Sequence, residues 1–474
     1  MEKLFEEMKG MADSRLASKD LLPTIKEERT LSPLEFWFIW VGISVLLTTF
    51  IIGADLYPHL GAAQILGAVI LGNVVVAIVV AFTGDIGVNY GIPFAVYLRA
   101  CYGYSGTHVP SIIRAMPAIF WLGFQTWLGA EAINIILGEL VPAWTGTTTH
   151  VTGIIVVFMA VQVVTTGLGI DWIKGFEKIV APLMVAIGIG ILVWIQSAFE
   201  LSVAEILRTP PGEVVGPRYS FWYAITAMTG YWATMSLNIP DFTRFLQADR
   251  DEPSWFKRNW RVIWPSMFGI VPTMAFFAFI GTASMVATGE WNPVFVIAAV
   301  DAPILLVLVA LIIVVLAQWS TNIGANILPP GFIFTNVFSP KVNFFWACIL
   351  SGVIALIMRP WVFADVLIDV FAIISITLGG IAGTMISDYY LLRGRTLNIK
   401  EMFKVDGQYK YWKNINPAGF IAYVVGFGVG YLFMAIGFFA ALFAAGIAYY
   451  LLMKYWIVNN YPQPEITEHL KLDK

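Results

Sequence analysis

Charge is scarce in this sequence: Asp, Glu, Lys and Arg together make up only 12% of 474 residues. A soluble domain carries roughly twice that share, and a net charge of -3 leaves no basic surface for nucleic acid. Cysteine is rarer still. Cys101 is expected in an inner loop and Cys348 in an apolar span, so no disulfide framework forms and each is expected as a small packing residue. The four histidines, His59, His108, His150 and His469, are scattered and never stand as His-Glu-x-x-His, which excludes a zinc hydrolase of that type. No Gly-x-x-x-x-Gly-Lys-Ser/Thr string is present, so the chain has no nucleotide-driven motor of its own. A carbonyl-rich filter sequence and a ring of acids, the marks of a pore, are also missing. Paired acids, a nucleophile with its base and a metal cluster are absent too, so an enzyme is not expected. The first 30 residues hold no basic, apolar and small-residue stretches in the order of a signal peptide, so a cleaved leader is not expected.

Apolar residues supply what charge does not. The chain is 58% hydrophobic and 15% aromatic, with a mean hydropathy of +0.77. About 20 apolar residues cross a hydrocarbon core of roughly 30 Å, and such runs recur along nearly the whole sequence. Hydropathy and breakers predict twelve spans, at 34–54, 60–83, 109–137, 149–167, 177–198, 219–239, 263–287, 302–327, 342–358, 361–388, 417–434 and 436–456. With an inside N-terminus, only Arg208, Arg218 and Arg359 of the 28 basic residues fall outside. Both termini are therefore expected in the cytoplasm, in a plasma (inner) membrane protein. A polytopic helical protein with little mass outside the bilayer and none of the motifs above is best read as a secondary transporter.

Three segments carry polar chemistry inside apolar runs. In the third span Trp121 and Gln125 stand at i and i+4, so an aromatic face and an amide share one side of a helix. That pair suits a small, planar, polar solute. In the eighth span, Gln318-Trp319-Ser320-Thr321-Asn322 is followed by Asn326. Ser320 and Thr321 offer hydroxyl oxygens to an alkali cation, and Asn322 and Asn326 again share a face. Such residues also serve plain interhelical hydrogen bonding, worth roughly 0.6 kcal/mol each. In the sixth span Gly230 is a point where the helix could unwind, next to Tyr231 and Trp232, although a tryptophan in a span also serves as an anchor or packing residue.

The strings Asn89 to Phe94, Phe120 to Gly129, Asn238 to Arg244, Gly289 to Pro293, Ser320 to Asn326 and Ile386 to Tyr390 resemble the nucleobase-cation-symport family, group one. Hydantoin, uracil, cytosine and allantoin permeases are its members. The likeness runs from about residue 20 to 460 in order and spacing.

The resemblance implies an all-α, leucine-transporter-like fold: two inverted five-helix repeats plus two accessory helices. The division it implies is a tail over 1–33, repeats over 34–198 and 199–392, a loop over 393–416, accessory helices over 417–456 and a tail over 457–474. It places the substrate near the bilayer midplane, with Trp121 and Trp232 around its ring and Gln125 and Asn326 on its amide edges. Gly230, Tyr231, Asn322 and Leu46 complete the implied substrate set. A sodium ion would take Gly42, Val45, Ala317, Ser320 and Thr321. A proton is the alternative coupling ion, with Glu131 and Asp369 as candidate mid-span acids. One departure falls at Leu46, where hydantoin-type relatives place a glutamine, and a second at Tyr231, where such a relative has a small residue. The expected activity is cation-coupled import of a small planar nitrogen heterocycle by a monomer in the lipid bilayer, with no organic cofactor. An uncoupled facilitator or transceptor of the same class is the alternative.

Overall fold

The computed structural model describes residues 2–10, 15–213, 218–290, 304–362 and 367–472. The chain is helical almost throughout. The first span is split into α1 (Pro33–Ser44) and α2 (Leu47–Leu56), bent by 58° at the break. There follow α3 (Ala62–Tyr90), α4 (Phe94–Tyr102), α5 (His108–Leu140), α6 (Thr148–Gly167), α7 (Ile170–Ala198), α8 (Phe221–Asn238) and α9 (Trp255–Thr288). The second half continues with α10 (Ile304–Thr321), α11 (Leu328–Val337), α12 (Phe344–Met358) and α13 (Leu367–Ile386). Then come α14 (Pro417–Leu432) and α15 (Gly437–Leu452). Among the described residues, seven helical segments are long and apolar enough to cross a membrane alone, and the bent pair makes an eighth. The other four expected spans correspond to α5, α8, α13 and α14.

Local chemistry starts and stops these helices. Pro33 occupies the first position of α1, where its missing N–H is no loss. Ser32 and Glu35 close a capping box there: Ser32 Oγ accepts from the Glu35 N–H at 3.2 Å and Glu35 Oε2 accepts from the Ser32 N–H at 2.7 Å. Two expectations need correction. The eighth span, expected over 302–327, does not stop there: helix resumes as α11 through Pro329 and Pro330. Those prolines fall in the first turn after a π-helical segment, Asn322–Ile327, where no intrahelical N–H is needed. Cys101, expected in a loop, is buried in α4.

Large apolar side chains such as Leu71, Val157, Ile179, Trp222 and Leu305 remain exposed, as a lipid-facing surface requires. Inside the bundle, α1 and α2 pack on α9, α1 also packs on α7, and α10 lies against α5 and α7. α8 rests on α3 and α13, and α15 packs along α13 and α14. Both chain ends gather at one end of this bundle. Arg244 donates to the carbonyls of Asp20 (2.9 Å) and Leu22 (2.7 Å), while Arg393 bonds Asp388 (2.9 Å) and Glu465. Arg99 joins the two regions, donating to the carbonyls of Leu16 (2.9 Å) and Met402 (3.1 Å). At the same end Asp85 is clamped by Arg258 at 2.9 Å, Asn259 at 2.7 Å and Tyr389 at 3.1 Å.

Candidate functional site

The break in the first span exposes backbone at the centre of the bundle. Val45 and Leu46 are extended, and their side chains are buried while the helix stops on one side of them and restarts on the other. Carbonyls and N–H groups released from a helix inside a membrane need partners from neighbouring helices or from a ligand. Gly230, where the helix could unwind, does not break it: α8 is continuous from Phe221 to Asn238. The glycine serves close packing instead, since a Cβ there would stand 2.1 Å from Ser375 Oγ on α13.

Aromatic rings from three helices surround the break. Trp121 on α5 meets Tyr231 on α8 edge-on, with centroids 6.3 Å apart at 73°. Tyr231 is in turn perpendicular to Trp232 at 5.5 Å, and Trp232 meets Trp40 of α1 at 6.3 Å and 80°. Tyr231 therefore stands edge-on to both tryptophans. Its hydroxyl is hydrogen-bonded to Thr48 Oγ1, which ties the restarted half of the first span to α8. The indole N–H of Trp232 is buried with no partner.

An amide chain runs behind these rings. Asn326 Nδ2 donates to Gln125 Oε1 at 3.3 Å and to Asn322 Oδ1 at 2.8 Å. Asn322 Nδ2 donates to Gln162 Oε1 of α6 at 2.5 Å and to Thr126 Oγ1 at 3.3 Å. Gln162 donates back to Thr126 Oγ1 at 3.1 Å. Gln125 and Asn326 are 2% and 5% exposed, whereas Asn322 is wholly buried. Asn322 thus braces Asn326 from α5 and α6. The π-helical segment supplies the widened turn on which both asparagines sit, a feature often found at functional sites.

The hydroxyls expected to hold a cation lie beside the same break. Thr321 Oγ1 donates to the Ile43 carbonyl at 3.1 Å, and Ser320 Oγ donates to Glu177 Oε1 at 2.7 Å. The Gly42 carbonyl accepts from the Val45 N–H at 3.2 Å, closing α1. Val45 and Ala317 pack in one apolar cluster. Hydroxyls from α10 and backbone from the end of α1 are therefore adjacent, and oxygen donors of this kind fit an alkali cation.

Residues 23–458 match the family described as permeases for cytosine/purines, uracil, thiamine and allantoin. The chain is 32% identical to a hydantoin permease of Microbacterium maritypicum over 449 residues, covering 93% of this chain and 89% of that protein. It is also 32% identical to an allantoin permease of Bacillus subtilis (strain 168) over 435 residues, covering 87% and 86%. The solved nucleobase-cation-symport-1 family transporter MHP1, in a closed conformation with bromovinylhydantoin bound, superposes with a TM-score of 0.90 at 30% identity. That match covers 97% of this chain and 100% of the other. The chain belongs to the nucleobase-cation-symport-1 family. It is a membrane transporter of leucine-transporter-like fold, not an enzyme.

Among the remaining acids expected to matter in this family member, Glu131 accepts from Trp127 Nε1 at 3.0 Å. It lines an open cleft of about 690 Å³ with Asn134, Arg359 and Trp361, which shares no residue with the aromatic and amide cluster. The side chain of Asp369, like residues 291–293 of the Gly289–Pro293 string, lies outside the described residues. Two further buried groups are incompletely partnered among the described residues. Gln318 has both amide atoms buried without a partner, and Glu177 has one carboxylate oxygen in the same condition. Gln318 begins a segment whose polarity was noted. Glu177 is the first residue of the fifth expected span, where an acid reads as an interfacial charge.

Proposed function

We propose that this family member imports a small planar nitrogen heterocycle, of hydantoin, allantoin or nucleobase type, together with sodium by alternating access. The observation that carries the reading is the placement of Trp121, Trp232 and the Gln125–Asn326 amide pair around the broken first span. Aromatic faces bury the ring of such a solute, and the two amides match its alternating N–H and C=O edges. No charged side chain is needed for recognition, which fits a neutral substrate. The names of the hydantoin and allantoin permeases supply the class. Leu46 puts a buried aliphatic side chain at the break where hydantoin-type relatives are expected to carry an amide, so the reading extends to the class and not to a hydantoin in particular.

Sodium is supported by the Ser320 and Thr321 hydroxyls beside the end of α1, which with the carbonyls of Gly42, Val45 and Ala317 would hold it. A bound cation there would neutralise polar backbone freed by the break. Because the same break borders the aromatic cluster, each ligand would favour the same arrangement of helices and strengthen the binding of the other. The concentration of Lys and Arg in the tails and in loops 240–262 and 393–413, with both ends packed at one end of the bundle, supports cytoplasmic termini.

The test is uptake by the purified protein in liposomes, using labelled uracil, cytosine, allantoin, hydantoins and purines, with and without a sodium gradient. Sodium-stimulated accumulation of one of them is expected. Equal uptake without any gradient would overturn the symport reading, and no uptake across the panel would overturn the substrate class.

A further inference from the structure

Glu177 lies on α7 two turns from its start and is 0% exposed. Its Oε1 accepts from Ser320 Oγ at 2.7 Å, while Oε2 is buried without any hydrogen-bond partner. A Cβ built on Gly42 would stand 1.8 Å from Oε2, 2.7 Å from the carboxyl carbon and 2.7 Å from Ser320 Oγ. The bare oxygen is therefore pressed against the last turn of α1, and only a residue without a side chain at position 42 admits it. Basic residues on the same helix are engaged elsewhere. Lys174 pairs with Asp171 at 2.6 Å and donates to the Thr30 carbonyl at 3.0 Å, and Lys178 pairs with Glu35. Among the described residues, none pairs a cation with Glu177.

A carboxyl removed from water with one oxygen bare is ionised only where a positive charge meets it, and otherwise holds a proton. The surroundings define that charge. A single carboxylate, the hydroxyls of Ser320 and Thr321 and the backbone at the end of α1 form an all-oxygen donor set, which suits a hard cation. One acid balances one positive charge, and nitrogen and sulfur ligands for softer metals are absent from the group just named. We propose that Glu177 is an anionic ligand of the coupling site, so that a monovalent alkali cation binds between α1, α7 and α10 as half of a neutral pair. The proposal rests on the cation-coupled reading above and adds to it a third helix and a full negative charge.

The consequence is a tighter link between cation and conformation. Without the cation, the Glu177 carboxyl has to take up a proton or reach water, and the second favours any arrangement that opens a path to α7. With it, the helices can close.

The proposal is tested by sodium binding alone, measured as radioactive sodium retained by the purified full-length protein with choline as the balancing ion. Wild type is expected to bind saturably. Glu177→Gln, which keeps shape and the bond to Ser320, is expected to raise half-saturating sodium at least tenfold, and Glu177→Asp to raise it less. Unchanged sodium affinity in a Glu177→Gln protein that elutes as wild type overturns the proposal and leaves sodium coupling intact. Absence of saturable binding in wild type overturns the sodium reading and this inference with it. Should Glu177→Gln fail to fold, sodium-induced infrared difference spectra of wild type and Glu177→Asp decide. A carboxylate stretching band that moves with sodium and differs between the two supports the ligand role, and a carboxylate region blind to sodium overturns it.

Discussion

Asn326 of the π-helical segment and Gln125 of α5 share a hydrogen bond of 3.3 Å, from Nδ2 to Oε1, although 201 residues separate them. Both are nearly buried, and Asn326 is held from behind by Asn322. In the proposed binding mode a substrate amide would exchange this long bond for its own. Gln125→Ala and Asn326→Ala are each expected to weaken heterocycle binding by about 1 to 3 kcal/mol, because one polar edge of the bound ring is left unpaired. Tryptophan-fluorescence titration with the transported compound measures this. Wild-type affinity in either variant would take that residue out of the site.

Asn322 separates from its neighbour in the same assay. Its amide is committed to Gln162 and Thr126, on α6 and α5, and not to the aromatic cluster. Asn322→Ala is expected to lower thermal stability through the unpaired Gln162 amide, by about 1 to 3 kcal/mol. Its effect on affinity should be indirect, through Asn326. A melting temperature equal to wild type would sink the bracing role.

The Thr48–Tyr231 contact predicts coupling between the broken span and α8. Tyr231→Phe removes the hydroxyl and leaves the ring edge-on to Trp121 and Trp232. Tyr231→Phe and Thr48→Val should each reduce substrate affinity by about 0.5 to 1.5 kcal/mol. The double variant should lose little more than either one, since both delete the same bond. Additive losses would show that the two residues act separately.

Much of this arrangement is legible in the sequence because membrane burial leaves a simple code. The apolar runs became helices, and the i, i+4 spacing of Trp121 with Gln125 and of Asn322 with Asn326 put each pair on one face, as 3.6 residues per turn requires. Tertiary packing decided the rest. Gly230 reads as a hinge from composition alone, but Ser375 on α13 takes the space beside it. The expected end of the eighth span at 327 falls short, because the π-helical turn before Pro329 and Pro330 makes their missing N–H groups harmless and the helix continues. Glu177 shows the deepest limit: its significance lies in Gly42 and Ser320, from helices 135 and 143 positions away, and no local pattern reports that meeting.

Outside the membrane-spanning helices, Glu465 gives a pH prediction. Burial is the largest single influence and raises its carboxyl, but the Arg393 guanidinium, a backbone hydrogen bond, Gln408 at 2.6 Å and Tyr409 at 2.8 Å together outweigh it and hold the group below the ordinary glutamate value. A depressed folded value means stabilisation that is complete above the ordinary glutamate range and is lost as pH falls through the folded value. Glu465→Gln should therefore lower the melting temperature at pH 7, by the equivalent of about 1 to 3 kcal/mol, and converge with wild type in acid. Parallel stability curves at all pH values would show that the pair contributes nothing through charge.

The final prediction concerns Ser320 and Thr321, whose hydroxyls make different contacts and so should fail differently. Thr321 Oγ1 holds the Ile43 carbonyl at 3.1 Å, one residue beyond Gly42, and thereby fixes the end of α1. Ser320 Oγ instead meets Glu177. Ser320→Ala removes an oxygen and a carboxylate partner while leaving the helix end in place. Thr321→Ala removes an oxygen and also frees the break to move. Each single variant is expected to raise the sodium concentration that half-stimulates uptake, and Thr321→Ala should also lower uptake at saturating sodium. The double variant should show no sodium stimulation, while its residual substrate binding in sodium-free buffer matches wild type. Sodium stimulation that survives the double substitution would place the coupling cation elsewhere in the bundle, because both α10 hydroxyls assigned to it would be gone.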